Sequence, residues 1–345
     1  MKKNIILVFT DFGISDEKGG GISTAMFNLN HYLRFDFDLV FVNNEINFFE
    51  KFKLIYNNRD CVIYINGLFS IISNLFPFLF YSFFTNYKII LSPRGMLKNS
   101  ALIRNKTFKL FFIWIYNLNK DMSLHVTDEN EESRAKFFFK KNKIYVIPDF
   151  MPIQYEFKNR KKIPGEIDII FVGRIDPIKN LTFAFDVLKI ITNQITARIN
   201  FFVIGPIYDT SYFKRCSETA SGFDREKINI VFLGELDRNK IQNFYDSAHL
   251  LFLPSKGENF GYAIAESLAN SIPVLISDQT FFTSVNDLGL GNSFALNDID
   301  RFVNSLIKYI NLTDIEFNKI SSFIHKYYNK LIPPNLNNSY NLLFK

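Results

Sequence analysis

Two doubly wound α/β domains, each a Rossmann-like parallel sheet with crossover helices, are the architecture that this 345-residue chain predicts. Short apolar runs alternate with helical patterns from end to end. The alternation halts and starts afresh near Ile167, and the length suits two domains of ordinary size. In the first half the strand candidates are Asn4–Phe9, Leu39–Val42, Val62–Ile65, Lys88–Leu91, Leu124–Val126 and Ile144–Ile147. In the second they are Ile167–Val172, Ile199–Ile204, Ile228–Leu233, Leu250–Leu253 and Val274–Ile276. Asp149 to Glu166, with Pro152, Pro164, Gly165 and the run Lys158–Lys162, reads as the linker. The expected domains are residues 1–155 and 156–330, with a terminal segment at 331–345. A ligand is expected in the cleft between them, at the carboxyl ends of the strands.

Apolar residues make up 48% of the chain and charged residues 21%, enough for a real core in each domain, which excludes a disordered or collagen-like chain. Two cysteines, Cys61 and Cys216, make no disulfide framework and suit a reducing compartment, so a cytoplasmic location is expected. The net charge of +6 is unevenly placed. Residues 1–160 hold 21 Lys and Arg against 15 Asp and Glu, whereas residues 161–345 hold 19 of each. A basic bias confined to one half points to an anionic partner there, a lipid surface or a phosphorylated acceptor. No nucleic-acid-binding motif accompanies it, so nucleic acid is not an expected partner.

Met1-Lys2-Lys3 starts with charge, but the apolar run Ile5 to Thr10 meets Asp11 too soon for a signal-peptide core. The stretch Leu68 to Phe84 is broken by Ser70, Ser73, Asn74, Pro77 and Ser82 and falls short of the about 20 apolar residues a spanning helix needs. It predicts a buried or surface-docked helix. Ala101 to Tyr116 mixes Arg104, Lys106 and Lys109 with Phe108, Phe111, Phe112, Ile113 and Trp114. Two readings stay open for it: a helix in a membrane interface, or a core-facing helix with a solvated basic face.

No G-x-G-x-x-G follows either first strand, which counts against a dinucleotide redox enzyme. Asp11-Phe12-Gly13 spells a kinase tripeptide without any other kinase motif. Three segments do carry chemistry. Gly19-Gly20-Gly21 follows the first strand and opens a helix, where backbone amides and the helix dipole favour an anion. In the second half, strand Ile167–Val172 runs into Gly173-Arg174-Ile175-Asp176-Pro177-Ile178-Lys179-Asn180-Leu181. Arg174 and Lys179 flank a rigid loop at a helix start, where cations oppose the dipole unless an anion is present; together they form a clamp for a diphosphate. After strand Leu250–Leu253 comes Pro254-Ser255-Lys256-Gly257-Glu258-Asn259-Phe260-Gly261-Tyr262-Ala263-Ile264-Ala265-Glu266. Glu258 sits in the loop beside the amides of Asn259, Phe260 and Gly261, and Glu266 lies in the following helix, able to take both hydroxyls of a ribose.

The strings G-R-I-x-P-x-K-N-L and P-S-x-x-E-N-F-G-Y-A-I-A-E-S-L-A-N-S-I-P-V-L, with their E-x7-E spacing, resemble the retaining GT-B glycosyltransferases of family 4. The resemblance runs along the chain through the Gly19–Gly21 loop, Ser92-Pro93-Arg94-Gly95-Met96-Leu97 and Val146-Ile147-Pro148-Asp149. It implies a nucleotide-diphosphate-sugar donor of UDP or GDP type held mainly by the second domain and an acceptor held mainly by the first. Arg174 and Lys179 would meet the diphosphate and Glu266 the ribose, while Glu258 and the amides of Asn259–Gly261 would face the transferred sugar. Gly20 and Gly21 would approach the phosphate from the first domain. Leu233-Gly234-Glu235-Leu236 resembles the loop near the nucleobase, which puts Leu236 there. Asn335 to Phe344 resembles the terminal helix that crosses back to the first domain.

Where many relatives place a His before Gly to touch the donor sugar, this chain has Arg94, as in a polysaccharide-related subgroup. Asn270-Ser271-Ile272 replaces the usual small-Gly pair before Pro-Val, a change expected to alter packing more than chemistry. His125 ends a strand and either reaches the cleft or is a satisfied core histidine.

The implied reaction is transfer of a sugar, with retention, to a hydroxyl of a growing, lipid-linked surface polysaccharide such as O-antigen, capsule or exopolysaccharide. No cofactor or metal is expected beyond the co-substrate, because the two cations can do what Mg²⁺ does elsewhere. Peripheral association with the inner face of an anionic membrane is a further expectation. The rivals are a sugar-nucleotide epimerase on the same fold, a glycoside hydrolase using Glu258 and Glu266 as its carboxylate pair, and a binding protein without activity.

Overall fold

The computed structural model describes residues 4–11, 21–43, 61–84, 87–98, 101–102 and 105–345, with the isolated positions Ile46, Glu50 and Lys53. The chain divides into two compact units, one built from residues 4–11, 22–150 and 333–345, the other from Gly21 and residues 151–332.

In the first unit the chain runs β1 (Asn4–Phe9), α1 (Gly21–Leu33), β2 (Phe37–Val42), β3 (Val62–Asn66), α2 (Phe76–Phe84), β4 (Lys88–Ser92), α3 (Lys106–Tyr116), β5 (Ser123–Val126), α4 (Glu129–Phe138) and β6 (Lys143–Val146). The strands form one parallel sheet in the order β2-β1-β3-β4-β5-β6. Ile6, Leu7, Val8, Ile63, Tyr64, Ile65, Leu91 and Leu124 are fully buried. That is why these strands read as unbroken apolar runs: parallel strands covered on both faces have no polar side to alternate with. The stretch from Leu68 becomes a π-helical turn, Ile71–Leu75, leading into α2. Ser70 caps that turn by accepting from the Ser73 amide, and Asn74 donates to the Asn66 carbonyl. Pro77 sits in the first turn of α2, directly after the π-helical turn. Phe78 and Tyr81 dock the helix on the sheet. Among the described residues no helix is long and apolar enough to cross a membrane.

The second unit runs β7 (Glu166–Val172), α5 (Leu181–Thr192), β8 (Arg198–Ile204), α6 (Thr210–Ser221), β9 (Ile228–Gly234), α7 (Arg238–Ser247), β10 (Leu250–Leu253), α8 (Tyr262–Ala269), β11 (Val274–Ser277), α9 (Val285–Leu288), β12 (Gly291–Phe294), α10 (Ile299–Asn311) and α11 (Asp314–Tyr327). Its parallel sheet has the order β12-β11-β10-β7-β8-β9. The chain winds outward from β7 one way and from β10 the other, so the crevice between their carboxyl ends is the topological switch point. Thr313 and Glu316 close a reciprocal capping box at the start of α11. The last helix, α12 (Leu336–Phe344), belongs to the first unit, where Phe344 packs on Phe37 and Tyr64, and Tyr340 stacks on Phe150.

Two differences from the sequence reading have physical causes. β12 (Gly291-Asn292-Ser293-Phe294) carries almost none of the apolar signal of a strand; it pairs only with β11, at the sheet's edge. The basic run Lys158–Lys162 is not a solvated linker, because Arg160 and Lys162 are buried in the second unit. The Arg160 guanidinium donates to the carbonyls of Tyr245, Asp246 and Asn270, at the carboxyl ends of α7 and α8. Lys162 Nζ donates to the carbonyls of Ile163 and Ile310, the latter at the end of α10, and burial lowers its ammonium to about 8. Helix carboxyl ends present unpaired carbonyls and partial negative charge, which these two cations satisfy.

Candidate functional site

The crevice of the second sheet gathers the second-half residues that the motifs singled out. β7 ends at Val172, and the loop behind it is organised by Asp176, whose buried carboxylate accepts from the amides of Ile178 and Lys179, each at 3.0 Å. The sequence reading did not single out Asp176; its place two residues before a backbone N–H pair is the signature of an Asx turn. Asn180 then takes a left-handed conformation and α5 begins.

This loop is sewn to its neighbour after β8. Ile175 N–H donates to Pro206 O, and the amides of Tyr208 and Asp209 both donate to Ile175 O. The approach is so close that a Cβ on Gly205 would lie 2.0 Å from Gly173 O, so only glycine fits there. The stitching sets Tyr208 against Arg174: the guanidinium carbon lies 4.6 Å from the ring centroid, and Nη2 lies 3.3 Å from Asp176 Oδ2. Arg174 is half exposed, 47% by side chain, so its charge faces solvent while the ring and the carboxylate fix its direction.

A third loop, after β10, reaches the same place. Lys256 N–H donates to Ile178 O at 2.7 Å, and Glu258 N–H to Gln279 O at 3.1 Å. Glu258 takes Lys179 Nζ on both oxygens, at 2.6 and 2.8 Å, and Ser255 Oγ donates to it at 2.6 Å. Both charges are largely buried, with 15% of the lysine and 8% of the glutamate side chain exposed. Desolvation of this kind is tolerated when the partners meet with good geometry, and Glu258 fixes the Lys179 ammonium beside the Arg174 loop. Gly261, with φ of 86°, turns the chain into α8. The ring of Phe260 is buried against Tyr262, Phe281 and Phe282, so it holds the loop down and only its backbone is left to meet a ligand. Glu266, in the second turn of α8, accepts from Tyr245 Oη at 3.0 Å. Tyr245 is buried on α7, and this contact was not legible in the sequence because the two residues sit on separate helices. Leu236 follows the end of β9 and is half-buried. The carboxylates of Glu258 and Glu266 therefore answer to different partners, a cation and a phenol.

Gly21 opens α1, whereas Gly19 and Gly20 lie outside the described residues. Arg94 and His125, considered as sugar or acceptor contacts, are both held by partners within the first unit. The Arg94 side chain is 4% exposed and pairs with Asp149, with Nε donating to Asn66 Oδ1 at 2.6 Å and Nη2 to Tyr64 Oη at 2.9 Å. Tyr64 Oη in turn donates to His125 Nδ1 at 2.7 Å, and His125 Nε2–H donates to Ile147 O at 2.9 Å. Burial, with Arg94 nearby, lowers the imidazole to about 4, so His125 is the neutral link of this chain. The buried carboxylate of Glu131 completes the cluster by accepting from the amides of Gly95 and Thr127. The whole arrangement ties the carboxyl ends of β3, β4 and β5 together. The network meets the requirement that buried polar groups be paired.

With two cations, an organising carboxylate and a ring at one crevice, comparison with known proteins becomes decisive. Residues 153–322 match the model of the family described as glycosyl transferases group 1. This segment is a glycosyltransferase domain of that family. The group 1 domain contains every second-half residue named above, from Arg174 to Glu266. The chain is 27% identical over 247 residues to the capsular polysaccharide biosynthesis glycosyltransferase CapH of Staphylococcus aureus, covering 72% of this chain and 66% of that one. It is 26% identical over 226 residues to the UDP-Gal:alpha-D-GlcNAc-diphosphoundecaprenol alpha-1,3-galactosyltransferase of Escherichia coli, covering 59% and 56%. The matches thus span less than two thirds of those relatives' own lengths. Sucrose-phosphate synthase from Thermosynechococcus elongatus shares the fold, with a TM-score of 0.68 at 15% identity over 99% of this chain and 98% of that one. The fold, including the group 1 domain, is that of the GT-B glycosyltransferases.

Proposed function

We propose that the protein transfers a sugar, with retention of anomeric configuration, from a UDP- or GDP-type donor to a hydroxyl of a growing capsular or other surface polysaccharide. The observation that carries this reading is the pair Arg174 and Lys179, fixed by Tyr208, Asp176 and Glu258 at the switch point of a group 1 domain. The relatives' names favour the substrate class: one makes capsule, and the other uses UDP-Gal and a diphosphoundecaprenol-linked GlcNAc. A lipid-linked acceptor on the first unit is part of the proposal.

The chemistry asks little of the protein in covalent terms. The bond from the anomeric carbon to the diphosphate oxygen breaks as the bond to the acceptor oxygen forms on the same face, and the acceptor's proton passes to the leaving diphosphate. The charge that develops there falls to Arg174 and Lys179, and preorganised cations in a partly dry crevice supply most of the stabilisation. Glu266, oriented by Tyr245, takes the ribose hydroxyls, and Leu236 lines the base. Glu258 holds Lys179 and faces the transferred sugar, with the amides of Asn259, Phe260 and Gly261 beside it.

The test is a donor panel of UDP-, GDP- and dTDP-sugars, with nucleotide release followed with and without lipid-extract acceptor. Release from one donor that depends on acceptor is the expected result. Conversion of a donor in the absence of acceptor contradicts the reading.

A further inference from the structure

We propose that the exposed face of α3 is a docking surface for an anionic lipid membrane. α3 is covered on one side only: Phe112, Ile113, Ile115 and Tyr116 are buried in the first unit. Its other side carries Lys106, Thr107, Phe108, Leu110, Phe111 and Trp114, all exposed. Phe108, Phe111 and Trp114 show 48%, 54% and 58% of their surface to solvent, and Leu118, just past the helix, 51%. The outer face of an ordinary surface helix is polar. Here it is aromatic, and the rings of Phe111 and Trp114 stack at 5.9 Å in one patch. The neighbouring segment, tied to α3 by Tyr116 Oη on Leu68 O and by Phe69 against Phe112, exposes Ile71 and Ile72. An exposed aromatic patch of this kind marks an interaction site.

Charge selects the occupant. From Cys61 to Lys120 the chain contains no Asp or Glu at all, while it contains Lys88, Arg94, Lys98, Arg104, Lys106, Lys109 and Lys120. Arg94 is neutralised internally by Asp149. A second copy of the same face would bring like charges together, whereas anionic headgroups complement them. Aromatic rings, Trp above all, prefer the headgroup boundary, with lysines reaching outward past them. A helix with such a face lies in the plane of the interface without spanning it. The proposal rests on the glycosyltransferase reading only for its purpose, which is to hold the enzyme at the surface where a lipid-linked acceptor resides.

Trp114 is the single tryptophan of the chain, so its emission reports directly on this face. The full-length protein is titrated with vesicles containing phosphatidylglycerol and with vesicles of phosphatidylcholine alone, with turnover assayed separately. The expected result is a blue shift on the anionic vesicles, quenching by brominated acyl chains, and release by high salt. In the F108S/F111S variant the partition should fall at least roughly tenfold with UDP binding unchanged. Unchanged emission on anionic vesicles overturns the proposal, as does undiminished binding by the variant. A lipid-free, concentration-dependent blue shift with dimer formation also overturns it, in favour of a second copy. Vesicle binding without acceptor-dependent nucleotide release leaves this surface standing and sinks the functional reading instead.

Discussion

Arg94 and Arg174 show how the same side chain can be held in opposite surroundings, one buried and one half open. Arg94 has its donors paired within the fold, so removing it leaves Asp149 buried and uncompensated. Arg94→Ala is expected to destabilise the first unit by about 3–5 kcal/mol in denaturant titrations while leaving UDP affinity as it was. A loss of UDP affinity with unchanged stability would return Arg94 to the donor site. Arg174 instead keeps half its surface open and is aimed by the Tyr208 ring. An exposed cation–π contact contributes about 0.5–1 kcal/mol, so Tyr208→Ala should weaken UDP binding about 2- to 5-fold, with Tyr208→Phe close to wild type. Equal effects of the two substitutions would show that the hydroxyl, not the ring, matters. His125 gives a pH signature. Its native value of about 4 lies below the ordinary 6.5, so between these limits the unfolded chain binds a proton that the native one does not. The stability it contributes is complete above pH 6.5 and fades as pH falls toward 4, by about 3 kcal/mol in all. His125→Gln should flatten that part of the stability profile, and an identical slope in the variant would show that the imidazole is not the group responsible.

At the scale of elements, most of the architecture was legible because it rests on local pattern. Buried parallel strands announce themselves as apolar runs, and β10 (Leu250–Leu253) agrees with the sequence reading end for end. The Arg174–Lys179 loop and the Glu258–Glu266 segment were legible for a related reason: each sits directly after a strand. What escaped was everything set by long-range partners. β12 is a strand by virtue of β11 beside it, and nothing in Gly-Asn-Ser-Phe announces that. The run Lys158–Lys162 looks like a linker until the carboxyl ends of α7, α8 and α10 are placed around Arg160 and Lys162. Arg160 in particular ties α8, which carries Glu266, to α7, which carries the tyrosine that orients it. Arg160→Met should therefore lower the second unit's unfolding free energy by about 3 kcal/mol, since buried carbonyls lose their donor. It should also weaken UDP binding, whereas Lys158→Met, at an exposed pair, should do neither.

For the whole molecule, charge is divided unequally between the two units. The second unit is neutral overall and concentrates two cations at one crevice, while the basic excess and the exposed aromatic face of α3 lie in the first. The central claim is that the crevice stabilises a departing nucleotide diphosphate. The most direct measurement is acceptor-dependent nucleotide release by wild type, Arg174→Ala and Lys179→Ala, with the unfolding midpoint recorded for each. Arg174 is half exposed and outside the core, so its removal should leave the midpoint in place and lower turnover by about 10²–10³-fold, the range for loss of one charge-stabilising donor. Lys179→Ala should lose comparable turnover and, by leaving the buried Glu258 carboxylate without its cation, some stability as well. Turnover by Arg174→Ala equal to that of wild type would contradict the account.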